Sequence, residues 1–264
     1  MRHNYVGDEG DYAKLALLRA LARDQQLGVN WYLTVHEETP KQPAHGASTP
    51  QGDGYKLDHL VHPDEWSDLD AALLERMVES LRGLREEERH IEKLEVLLPG
   101  ADFFQAPLPT GSDSPAERRA ARRAWHQTAL QRLAGAEIVF VDPDNGFEVK
   151  SHGPGSKWRC KYAAYDEVAD YLARGQAVVA YQHRPRVTWA ELVAQTKAEI
   201  AAHGVPTAPL GFIAFGSRGF FLMHRDPAEV KQLTIRAQAL KDACDEAGWT
   251  KLKIDVIAPE PHAR

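Results

Sequence analysis

An alternating α/β fold built on a mostly parallel sheet is what this sequence predicts, from three observations. Short apolar runs, Val29 to Val35, Ile138 to Val141 and Ala177 to Tyr181, each stop abruptly at polar residues, as buried strands do. Stretches with apolar residues at helical spacing separate them, the pattern of parallel strands joined by crossover helices. Late in the chain, Leu210 to Phe215 and Gly219 to Met223 are joined by Gly216-Ser217-Arg218, which reads as a hairpin. The expected architecture is one Rossmann-like domain over residues 1–264, with an antiparallel C-terminal hairpin and a helical insertion over residues 55–134.

With 264 residues the chain can bury one large core. Its net charge of −6 argues against a protein that coats nucleic acid nonspecifically, although a local basic face can still meet phosphates. Cys160 and Cys244 lack metal-ligand spacing and are too few for a disulfide framework, so reduced thiols are expected. No apolar run reaches the roughly 20 residues that span a bilayer, and the first residues lead into acids rather than an apolar leader. The expected location is the cytoplasm, with no membrane partner.

The elements follow in order. Gly7-Asp8-Glu9-Gly10-Asp11 opens a helix with acids in its first turn, where the helix dipole favours them; Leu15, Leu18, Leu21 and Ala22 give its apolar face. Val29 to Val35 is the next strand, ending at His36-Glu37-Glu38, and residues 39–54 read as loop. From Pro63 to Leu98 the pattern is helical, with Leu69, Leu73, Leu74, Met77 and Leu81 on one stripe. Phe103 and Phe104 mark a short strand. Ser114-Pro115-Ala116-Glu117 has the form of a capping box with proline at the first helical position, and the helix it starts displays Arg118, Arg119, Arg122, Arg123 and His126. The run at Ile138 to Val141 is the central strand. Asp166 to Arg174 is a short helix, Ala177 to Tyr181 a strand ending at Gln182-His183-Arg184, and Thr188 to His203 an amphipathic helix. After the hairpin, a helix from Pro227 to Ala247 and a strand from Leu252 to Ile257 complete the chain.

The chemistry concentrates at strand ends. Ile138 to Val141 runs into Asp142-Pro143-Asp144-Asn145-Gly146, a tight turn rich in carboxylates and hydrogen-bond acceptors. Ligands of open α/β sheets bind outside the carboxyl ends of the strands, so Asp142 and Asp144 stand where chemistry is expected. The plain alternative is that Asp142 caps the next element while Pro143 and Gly146 shape the turn. Ser151 to Ser156, with lysines on either side, could cradle phosphate but lacks P-loop spacing, and reads first as a surface loop.

With these pieces placed, the order resembles the class I methyltransferase fold and, within it, the ribosomal RNA adenine-N6 methyltransferase family called RlmJ. The residues that carry the resemblance are Arg2-His3 ahead of Tyr5, then Gly7, Asp11 and Lys14 at the spacing of that family's glycine, aspartate and lysine, Tyr32 to His36 at a strand end, and Asp142-Pro143 at its D-P-P-Y turn. The resemblance implies S-adenosylmethionine as cofactor and a nucleobase or nucleic acid as substrate. Asp142, Asp144, Asn145 and His183 would be the catalytic group, and Asp11, Lys14 and His36 would line the cofactor pocket. Phe147 would stack on the base, and Arg184, Arg2 and His3 would contact the substrate. Where the family has a glycine loop after its first strand this chain has His36-Glu37-Glu38-Thr39-Pro40, and Asp144-Asn145 replaces Pro-Tyr in the turn.

Two other readings stand beside it. His36, Asp142, Asp144 and His183 could converge on a manganese or zinc ion as a metal-dependent phosphodiesterase or nuclease, since mixed imidazole and carboxylate ligands suit such metals. Alternatively the chain is a non-catalytic binding module on the same fold.

Overall fold

The computed structural model describes residues 3, 6–34, 56–110, 114–184, 186–205 and 210–259. Helix α1 (Glu9–Ala22) leads to strand β1 (Leu27–Asn30). A helical stretch follows, with α2 (Asp58–Val61), α3 (Ser67–Leu81) and α4 (Glu92–Glu95), then β2 (Asp102–Phe104) and α5 (Pro115–Arg132). The central strand β3 (Ile138–Val141) precedes the short β4 (Gly146–Phe147) and β5 (Tyr162–Ala163), α6 (Tyr165–Ala173), β6 (Ala177–His183) and α7 (Trp189–Ala202). The hairpin β7 (Gly211–Phe215) and β8 (Arg218–Met223), helix α8 (Pro227–Glu246) and β9 (Ile254–Ile257) close the fold.

Seven strands form one sheet in the order β2-β1-β3-β6-β8-β7-β9, and β4 and β5 pair separately. The ladders from β2 through β1 and β3 to β6 are parallel, whereas β8 is antiparallel to β6 and to β7, and β9 antiparallel to β7. This is the expected Rossmann-like α/β sheet with its antiparallel C-terminal hairpin. Strand β2 lies inside the 55–134 span read as a helical insertion, so that span contributes an edge strand and a crossover helix as well as α2, α3 and α4. Among the described residues, no helix is long and apolar enough to cross a membrane.

Alternation along the strands divides the core into two layers. Ile138 and Phe140 point to the face shared with α1, α3 and α8, and Val139 and Val141 to the face shared with α5, α6 and α7. The same alternation runs through Val179 and Val178, Phe215 and Phe212, and Phe220 and Phe221. Continuous apolar strands are therefore the mark of a sheet covered on both sides. The expected strand over residues 29–35 is shorter in the fold. β1 ends at Asn30, and Tyr32, at φ 45°, turns the chain out of the ladder, with its amide donating to the Asn30 side chain.

Direction reverses between β1 and β3. From β1 the chain crosses to β2 on one side, and from β3 to β6 on the other, which makes the carboxyl ends of β1 and β3 the switch point of the sheet. Asp142 stands there, its amide donating to the Asn30 carbonyl at 3.0 Å.

Candidate active site at the Asp142 turn

The site is built from the first turn of α1, the end of β3 and the hairpin. Asp8 is the N-cap of α1, its Oδ1 accepting from the amides of Gly10 at 2.8 Å and Asp11 at 3.0 Å. Its other oxygen accepts from Arg218 Nη2 at 2.8 Å. Gly10 is required by that contact: a Cβ there would lie 2.0 Å from Arg218 Nε. Asp11, three residues on and on the same helix face, accepts from the Gly7 amide and from Lys14 Nζ, both at 2.8 Å. Lys14 then reaches across to Asp142 Oδ2, also at 2.8 Å, and lies between the rings of Trp31 and Tyr181.

This is a buried ionic network. Asp11, Lys14 and Asp142 are at most 4 % exposed. Among the described residues, Asp8, Asp11 and Asp142 meet the cations Lys14 and Arg218. Burial, helped by the Asp8 and Asp142 charges and opposed by Lys14, pushes the Asp11 carboxyl up to about 6. For Lys14, burial disfavours the ammonium, yet the charges of Asp11 and Asp142 outweigh it and hold the group above the usual lysine range. Burial keeps the Tyr181 hydroxyl protonated, its affinity for the proton raised despite Arg218 and Lys14 nearby.

The turn itself is fixed at both ends. The Asn145 amide donates to the Lys161 carbonyl at 2.9 Å, and its carbonyl accepts from Gln182 Nε2 and the His183 amide. Gln182 Oε1 accepts from the Phe147 amide at 3.0 Å. Asp144 is half-buried in the lining of a small cleft of about 70 Å³, with Asp8, Asp142, Tyr181, His183 and Arg218, whereas Asn145, also half-buried, is not part of that lining. His183 is exposed there, one position across the ladder from Arg218 and 3.5 Å from the Tyr181 hydroxyl.

Asp11, Lys14, Asp142, Asp144 and His183 are thus brought together, and others are not. Phe147 cannot stack on a base, because it is 4 % exposed and already stacked on Tyr165 at 4.7 Å and against Phe221. His3 packs on His90 and accepts from the Ile91 amide, within the helical stretch rather than at the cleft. Arg184 is exposed beyond the cleft lining, its amide tied to the Ser217 carbonyl. Arg2 and His36 lie outside the described residues. Of the residues named as metal ligands, Asp142, Asp144 and His183 line the cleft and His36 lies outside the described residues; among the described residues, the group of three ligands close enough to share an ion is His3, His90 and Glu92, none of which lines the cleft. Arg218 and Tyr181 were not foreseen as site residues. Gly10, a helix-weakening residue in a first turn, is the signal that something approaches there.

No family model matches the sequence, and no curated protein matches it. The likeness to the adenine-N6 methyltransferases rests on the motifs quoted above.

Proposed function

We propose that this chain is a methyltransferase-like enzyme acting on a nucleobase, free or within a nucleic acid, and that the Asp142 turn receives the exocyclic amine. The observation that carries the reading is the position of Asp142-Pro143-Asp144-Asn145 at the carboxyl end of β3, beside the switch point of the sheet. The acceptor chemistry suits an amine: the carboxylate oxygens of Asp142 and Asp144 in the cleft lining accept N–H bonds, and Lys14 holds Asp142 in one orientation. His183, exposed in the same lining, is placed to take the proton that the amine releases and pass it to solvent.

S-adenosylmethionine would supply the methyl group. The described cleft, about 70 Å³, fits the amine but is well short of the roughly 300 Å³ or more of ordinary ligand pockets. The described residues alone do not form the cofactor pocket.

Thermal melting of metal-stripped protein with S-adenosylmethionine, S-adenosylhomocysteine, manganese and zinc tests the proposal. At about 100 times its dissociation constant a ligand adds about 2.7 kcal/mol, which raises the melting temperature by several degrees. The expected result is a rise with both adenosyl compounds. A rise with a metal alone would move the reading to metal-dependent hydrolysis, and no rise with any of them would leave a binding module.

A further inference from the structure

A second, larger cavity lies away from the Asp142 cleft, enclosing about 490 Å³ between α5, the Pro154–Cys160 stretch and the start of α6. Its floor is fixed. Arg122 makes a bidentate pair with Glu167, at 2.6 and 2.8 Å, and donates to the carbonyls of Arg159 and Tyr162. The guanidinium holds the Glu167 carboxyl down to about 2 although burial opposes it. Arg118 donates to the Gly155 carbonyl at 2.7 Å. Gly155, at φ 86°, lets this loop lie directly on the helix, since a Cβ would meet the Pro115 carbonyl at 2.8 Å and Arg119 Nη1 at 2.9 Å.

The remaining cations are what make the cavity unusual. Arg119 and Arg123 are exposed, one helical turn apart on the same wall, and neither makes an ion pair or hydrogen bond among the described residues. Four residues of helix separate their backbones by about 6 Å, so two guanidinium forks can close on one phosphate or on adjacent phosphates. Six Lys and Arg side chains line the cavity against three carboxylates, in a chain whose overall charge is −6. Two of those carboxylates, Asp166 and Asp170, are exposed; Asp166 Oδ1 accepts from the Glu167 amide at 2.9 Å and Asp170 Oδ2 meets His126 Nε2 at 3.0 Å, and each carboxylate has further lone pairs with which to accept from hydroxyl or amino donors. The volume falls within the roughly 300–1,000 Å³ of small-molecule sites. A flat basic track would suit a polynucleotide backbone; an open-mouthed concavity of this size suits one residue of it.

We propose that this cavity binds a nucleoside phosphate, with Arg119 and Arg123 gripping the phosphate and the carboxylates of Asp166 and Asp170 receiving donors of the sugar or base. The same chemistry is offered by a free mononucleotide and by the 5′-phosphorylated end of a single strand.

Isothermal titration of the full chain with adenosine monophosphate, adenosine, and a 5′-phosphorylated tetranucleotide tests this, in the wild type, Arg119→Ala/Arg123→Ala and Asp142→Asn. The expected result is saturable binding of at least one phosphate probe, weakened at least tenfold in the double arginine variant and unchanged in Asp142→Asn. Adenosine should bind at least tenfold more weakly than its monophosphate. Comparable binding of the mononucleotide and the tetranucleotide assigns the cavity to free nucleotide, and binding of the tetranucleotide alone assigns it to a strand end. Absence of binding by both phosphate probes, undiminished binding in the double variant, or loss of binding in Asp142→Asn overturns the proposal. Both arginines are exposed and make no ion pair among the described residues, so the double variant should melt with the wild type and keep the comparison valid.

Discussion

Asp142 is both the best candidate for chemistry and a member of a buried ion network, so an alanine there removes two things at once. Deleting one partner of a buried pair typically costs about 3–5 kcal/mol, and Asp142→Ala should lower the urea midpoint accordingly. Asp142→Asn keeps an oxygen for Lys14 and removes the excess negative charge, and should cost less than half as much. Equal losses in the two variants would show that the carboxylate charge, not the hydrogen bond, holds the site. The asparagine variant is therefore the one in which lost activity can be read as lost chemistry. His59 offers a second test at this scale. It is fully buried, stacked on Tyr12, with no hydrogen-bond partner for either ring nitrogen among the described residues. Burial, opposed by the charges of Asp8 and Asp58, lowers it to about 4. The folded state thus keeps a neutral ring that the unfolded chain protonates near its ordinary value. Its contribution is complete above about pH 6.5 and is lost as pH falls toward 4, by about 3 kcal/mol. Asp11, raised in the fold, works in the opposite direction over much of that range. The wild-type curve alone would hide both, so the measurement is the difference between wild type and His59→Phe in urea unfolding at pH 4 to 7. A difference that does not change with pH would refute the assignment.

At the scale of elements, the opening of α1 shows how far sequence reasoning reaches. Asp8 as a helix-start acid, the Ser114 and Thr188 caps and the Gly216-Ser217 hairpin were all legible, because capping and turn chemistry are local. The Arg118 to His126 face was legible only as a charged stripe. Its division into a half-buried Arg122 held by Glu167, a buried His126 paired with Asp170, and exposed Arg119 and Arg123 depends on which other elements pack there. The same limit applies to Phe147, which the family resemblance cast as a base platform while its stacking on Tyr165 depends on α6. Gly10 converts this into a prediction. Glycine to alanine within a helix usually stabilises by about 1 kcal/mol. Gly10→Ala should instead destabilise, because the new methyl displaces Arg218 from Asp8 and Glu9. A raised melting temperature in that variant would mean that Arg218 contributes nothing where it lies.

Across the whole molecule, one sheet carries two cores. Strands β3, β6, β7 and β8 supply side chains to both, so neither layer can open without exposing the other. Unfolding should be a single transition, although the chain is larger than the domains for which that behaviour is usual. Trp66 and Trp249 sit in one layer and Trp125 in the other. Variants retaining tryptophan on one face only should give coincident denaturation curves, and separated midpoints would show that the layers are independent. The bond between Asp8 and Arg218 spans 210 positions of sequence. During synthesis at about 5–20 residues per second, the helix cap and its arginine partner are apart by roughly ten to forty seconds. A chain cut short before the hairpin has made every strand through β6 and the Asp142 turn, yet lacks the cation that closes the network. The Asp8 end of the cleft is thus completed only once the hairpin has been made.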